Sequence, residues 1–317
     1  MSFRDEVTLS FEATKDKTFE DSHIVEVAPG VRLLRFAMVY GANASGKSNL
    51  LYALEFLRSF VFEKTTDLEE QTGTTPFKLD AVTPQEPSEF SLKYFLGDIR
   101  YWYELKLDQK RVYLERLFYY TSAQPTKLFE RTWERGESVL YFNPAVVKIS
   151  STAKEELSLK CLPNMSFFAA RAQVNVSMPE IDTAREWFRN GVMPIVEPET
   201  EMFEYASEKM LDDDGLKKYL LNFVNHADFN ISDVKTDLVK RPLSKRFVDM
   251  MLLDESTPAN VKEQLKKDTS INSVRTQFVH SVRNVRGEET YTLPAGSQSA
   301  GTMRTIGIEA GIFEALN

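Results

Sequence analysis

Apolar and polar residues alternate along this chain with two different periods. Residues 6–13 (EVTLSFEA) mix β-branched and aromatic side chains with polar ones in near alternation, which predicts a strand. Residues 31–40 (VRLLRFAMVY) form a mostly apolar run and predict a buried strand. A glycine-containing loop follows, and over 47–62 the apolar positions Leu50, Leu51, Leu54, Leu57 and Val61 recur at helical spacing. The order is strand, loop, helix. Residues 63–88 are polar, with threonines and prolines, and predict mainly loop. Residues 89–107 predict two strands turning near Gly97 and Asp98, and 111–120 a further strand, together an antiparallel sheet.

From 121 to 285 the pattern becomes richer in helical spacing, as in 179–190, 205–224 and 258–268. Pro179 and Pro258 stand where a helix can begin. Residues 288–293 return to strand composition, and 302–317 again predict helix. The expected organisation is a first head segment over 1–120, a mostly helical insertion over 121–285, and a returning head segment over 286–317. No internal repeat, heptad run or low-complexity tract occurs.

Composition narrows the function classes. The chain of 317 residues is long enough for one large domain or two modest ones. The net charge of −8 argues against a surface dominated by binding to phosphate backbones, though it leaves room for a local basic groove. Nucleic-acid binding is therefore unsupported at this level. The one cysteine, Cys161, excludes an internal disulfide framework and reads as a core residue. No signal-peptide pattern opens the chain, and no apolar run approaches a membrane span, so a cytoplasmic protein without membrane contact is expected.

The strongest chemical signal is Gly41-Ala42-Asn43-Ala44-Ser45-Gly46-Lys47-Ser48, which satisfies G-x-x-x-x-G-K-[ST] between a predicted strand and a predicted helix. Gly41 and Gly46 let the backbone turn without a Cβ. Successive N–H groups then face inward as an anion nest at the positive end of the helix. Lys47 is placed to reach the β- and γ-phosphates of ATP, and Ser48 to bind the bridging Mg²⁺. The cofactor-binding set is residues 41–48 with Asn49. Asn43 receives no separate role from spacing alone.

A second signal runs Gly296-Ser297-Gln298-Ser299-Ala300-Gly301-Thr302-Met303-Arg304 into a helical pattern. Alone it reads as a loop whose Ser299 caps a helix. Paired with the phosphate loop, it resembles the signature motif of ABC-type ATPases. The segments SFRDEVTLSFEAT, GANASGKSNLLYAL and SQSAGTMR, with PFKLD, ADFNISDVK and FVH in order between them, resemble the ABC-like AAA-family ATPases of bacterial abortive-infection and related phage-defence systems.

The resemblance implies an α/β P-loop NTPase head of the ABC type with an antiparallel β-subdomain and a helical insertion. It also implies a homodimer whose heads pack head to tail around two nucleotides, with Ser299 and Gly301 contacting the nucleotide of the partner subunit. ATP hydrolysis would reset that dimer, and the output would be a sensor or regulator in defence working with a nuclease or toxin. A Q-loop glutamine follows the first helix in such proteins. Gln71 and Gln85 are candidates, although both stand in polar loop.

In ABC-type proteins the signature helix leads to a buried strand ending in Asp-Glu and then to a switch histidine. The sequence stops at Asn317 inside that helix, and similar proteins have a strand ahead of SFRDE. The expectation is a piece of a longer protein whose catalytic residues lie downstream, so that this chain alone binds ATP weakly and hydrolyses it poorly. The stretch 250–256 (MMLLDES) offers Asp254 and Glu255 as an alternative acidic motif, but it precedes the signature and reads better as a helix face ending in a solvated acidic pair.

The rivals are a DNA-repair or chromosome-maintenance ATPase, a non-ABC P-loop enzyme using Asp254 and Glu255, and a nucleotide-gated interaction module without turnover. Tyr101-Trp102-Tyr103 could stack nucleic-acid bases, yet on an alternating strand ordinary sheet packing explains it. The Asp212-Asp213-Asp214 run reads as a solvated turn. His23, His226 and His280 lack metal-ligand spacing.

Overall fold

The computed structural model describes residues 3–197, 199–227, 230–254 and 257–316. It is a mixed α/β structure with antiparallel sheets, in two compact units, 1–195 and 196–317.

The first unit opens with the short helix α1 (Glu20–His23) and a hairpin of β1 (Ile24–Ala28) and β2 (Val31–Leu34), turned at Gly30 with φ 75°. Two sequence expectations change here. Residues 6–13 form no strand; Glu12 makes an isolated bridge to Leu33, flanked by the bonds Leu34 N–H to Phe11 O and Ala13 N–H to Arg32 O. The strand expected over 31–40 stops at Leu34. Among the described residues, the backbone of 36–40 exchanges no hydrogen bonds, and a ladder needs a neighbour. Met38 and Tyr40 are consequently 67% and 80% exposed.

Helix α2 (Lys47–Phe60) follows and buries Leu57 and Phe60; Phe56 stacks on Phe90 with centroids 5.2 Å apart. Phe90 belongs to β3 (Ser88–Leu96), the first strand of a five-stranded antiparallel meander with β4 (Ile99–Leu107), β5 (Val112–Tyr120), β6 (Thr126–Glu134) and β7 (Glu137–Phe142). The turn expected at Gly97 and Asp98 joins β3 to β4, with Gly97 at φ 60°. Strands β6 and β7 lie in the stretch expected to be mostly helical. A bulge explains the misreading: Leu117 pairs with Phe129 and Phe118 with Lys127, so both Leu128 and Phe129 point into the core and alternation is lost.

One face of this sheet is closed by α3 (Ser151–Lys160), α4 (Phe167–Arg171) and α5 (Pro179–Asn190). Helix α5 buries Ile181, Ala184 and Phe188 at helical spacing, and its Trp187 stacks on Tyr94 at 4.1 Å. A buried ion pair sits in the same layer. Arg131 lies 3.5 Å from Glu115, both fully buried; Glu115 accepts from Tyr103, Ser166 and the Phe167 N–H. Arg131 donates to the Leu162 and Met165 carbonyls, tying the segment before α4 to the sheet.

The second unit holds α6 (Phe203–Asp212), α7 (Asp214–His226), β8 (Asp233–Pro242), α8 (Lys245–Leu253), α9 (Ala259–Lys267), β9 (Ser270–Asn284), β10 (Gly287–Pro294) and α10 (Ala300–Leu316). The strands form an antiparallel sheet ordered β10-β9-β8. Its core gathers Met210, Leu220, Val234, Phe278 and Ile306. Residues 205–224 are two helices rather than one. Asp213 interrupts them and accepts from the Leu216 N–H at 2.9 Å, so the acidic run contains an N-cap as well as solvated charge.

Candidate functional site

Residues 41–48 lead into the N-terminus of α2. Two residues of the loop adopt left-handed backbone, Ala44 at φ 62° and Gly46 at φ 92°. At Gly46 the conformation itself favours glycine, and a Cβ there would also lie 2.7 Å from the Phe3 ring. Among the described residues, the N–H groups of Ala44, Gly46, Lys47 and Ser48 have no protein partner, whereas Asn49 donates back to the Gly46 carbonyl at 2.9 Å. Lys47 folds over the loop, its Nζ donating to the carbonyls of Gly41 and Ala42, each at 2.8 Å. Two of its three ammonium protons are used there and one is free. The Ser48 hydroxyl is exposed. A cluster of open N–H groups, a helix N-terminus and an ammonium at one rim suit an anion with several oxygens.

In the second unit, Ser299 stands immediately before α10 and caps it. Its Oγ accepts from the Thr302 N–H at 3.0 Å and lies 2.8 Å from the Thr302 hydroxyl. Ser299 and Gly301 are both exposed, and the N–H groups of Ala300 and Gly301 point off the helix end without a partner among the described residues. Gln298, just ahead, reaches His280 on β9 at 3.0 Å, a contact that spacing did not reveal.

The remaining candidates fall elsewhere. Asp254 is the exposed residue closing α8, and the apolar positions before it are helical, with Leu253 82% exposed, not a buried strand. Glu255 lies outside the described residues. Gln71 and Gln85 are exposed, Gln85 at the end of a short 3₁₀ turn. Among the described residues no group of three or more His, Cys, Asp or Glu side chains could hold a metal, and no helix is long and apolar enough to cross a membrane. Cys161 is buried, and burial pushes its thiol up to about 11.

The family model described as "AAA domain, putative AbiEii toxin, Type IV TA system" matches residues 36–316, nearly the whole chain. The chain belongs to this AAA family. The match begins just ahead of the 41–48 loop and ends with α10, so that loop and the Ser299 turn fall inside the matched residues, while 1–35 of the first unit lie outside them. No curated protein and no solved structure matches the chain.

Proposed function

We propose that the protein is an ATP-binding, ATP-hydrolysing ABC-like ATPase with a P-loop NTPase head, acting as a sensor or regulator in bacterial defence. One observation carries the reading: the N–H groups of Ala44, Gly46, Lys47 and Ser48 have no protein partner among the described residues, and the Lys47 ammonium lies against the same loop. A triphosphate satisfies all of them at once. Lys47 would exchange a loop carbonyl for a phosphate oxygen, a charge-assisted bond about twice as strong as a neutral one. Ser48 would supply one ligand to Mg²⁺, which neutralises charge between the phosphates when bound. Asn49 follows one residue further along α2 and completes the nucleotide-binding set.

The exposed Ser299 turn supports a homodimer in which Ser299 and Gly301 of one copy close over the nucleotide held by the other. The capped hydroxyl of Ser299 leaves the backbone N–H groups of Ala300 and Gly301 to meet the γ-phosphate. The family description supports a toxin–antitoxin setting, and a toxin or nuclease as a further partner belongs to the same proposal. The head segments 1–120 and 286–317, with 121–285 between them, form part of the same reading.

Sedimentation in fluorescent ATP with Mg²⁺ tests both steps. Nucleotide should travel with a dimer of the wild-type chain, with a monomer of Ser299→Arg, and with neither protein when AMP replaces ATP. ATP that travels with no protein species would overturn the reading.

A further inference from the structure

The face of the five-stranded sheet turned away from the helices is not uniform. Near the β3–β4 turn, two neighbouring cross-strand rows carry only aromatic and cationic side chains. One row is Phe95, Arg100 and Tyr120; the next is Lys93, Trp102, Phe118 and Lys127. Their strand neighbours Tyr94, Tyr101 and Tyr103 are buried on the opposite side, so this set projects outward.

The contacts within the patch are specific. Trp102 stacks on Phe118 with centroids 4.9 Å apart. Lys93 Nζ lies 5.1 Å above the Trp102 ring, and the Arg100 guanidinium 3.8 Å above Tyr120. Among the described residues, neither Lys93 nor Arg100 has a carboxylate at ion-pair distance. The next row differs: there Arg116 pairs with Glu104 at 2.8 Å, and Glu130 neutralises Lys127 at 2.7 Å. In a protein with a net charge of −8, Lys93 and Arg100 thus rest on ring faces with no carboxylate partner among the described residues.

We propose that this outer face binds single-stranded nucleic acid. Such a strand supplies, nucleotide by nucleotide, an anion for Lys93 or Arg100 and a π-face for Trp102, Phe118 or Tyr120. The rows lie about 6.7 Å apart along the strands, room for one unstacked nucleotide per row. As phosphates draw the two cations aside, the ring faces beneath them open to bases. A duplex keeps its bases stacked inside and offers only half of this chemistry, and an acidic peptide lacks the rings.

The test is fluorescence anisotropy of a labelled oligo(dT) of about ten nucleotides with the full chain at low salt. No ATP is added, so the outcome does not require nucleotide binding at residues 41–48, and the Lys93, Arg100 and Trp102 variants separate this face from that loop. The wild type should bind, with affinity falling steeply as salt rises. Lys93→Glu with Arg100→Glu should weaken binding by more than tenfold. Trp102→Leu should weaken it by about tenfold, and Trp102→Phe should recover most of that. All these side chains are on the outer face, and unchanged thermal melts would confirm folding. The proposal is overturned if the folded wild type does not bind, if the variants bind as well as it does, or if a duplex of equal length or poly-glutamate competes equally.

Discussion

At Lys47 a single ammonium bonds two carbonyls of the 41–48 loop, at Gly41 and Ala42, and these bonds restrict a long, flexible side chain that would otherwise move freely. At Cys161 the constraint is burial. Its thiol, at the end of α3, is pushed from 9.0 to about 11 by loss of solvent. The unfolded chain releases this proton first. Stability is therefore unaffected below about pH 9 and falls as pH rises from 9.0 to about 11. The loss attributable to this thiol should reach roughly 3 kcal/mol, and Cys161→Ala should remove that part of the slope in urea melts. In the native state the thiol should resist a disulfide reagent at pH 8 and react only on unfolding; rapid stoichiometric labelling of the folded protein would contradict its burial.

At the level of elements, helix α10 depends on closeness. A Cβ at Gly307 would meet the Met202 carbonyl carbon at 2.7 Å and the Phe203 nitrogen at 2.9 Å, backbone atoms that cannot swing aside. Gly307→Val should cost about 2–3 kcal/mol in chemical denaturation, whereas Gly296→Ala, with open space around it, should be near neutral; equal effects would refute the close packing. Legibility in the sequence followed the same physics. Helix α5 was readable over its whole length because Pro179 starts it and Ile181, Ala184 and Phe188 recur on one face. The 41–48 segment was readable as a loop before a helix because Gly41 and Gly46 precede the helical spacing of Leu50, Leu54 and Leu57. Strand β6 was hidden by its bulge, and the end of β2 by the absence of a neighbour for 36–40, which apolar character cannot announce. The Arg131–Glu115 pair was invisible because its partners lie on different strands and a later loop. Ser299 was legible as a cap; that Thr302 shares the bond, and that Gln298 meets His280, needed the folded chain.

For the molecule as a whole, two units with separate cores carry the two surfaces that matter, the 41–48 loop in one and the Ser299 turn in the other. Both stand at helix N-termini and both leave backbone N–H groups without a partner among the described residues, which is why the proposed function assigns phosphate oxygens to each. The AAA family match spans both. The most direct measurement is a calorimetric titration of Mg·ATP into the wild type and into Lys47→Ala at equal ionic strength. A phosphate cradle predicts saturable binding by the wild type and at least about tenfold weaker binding by the variant, the loss of one charge-assisted bond, with unchanged melting temperature. Equal affinities, or no saturable heat with either protein, would contradict it.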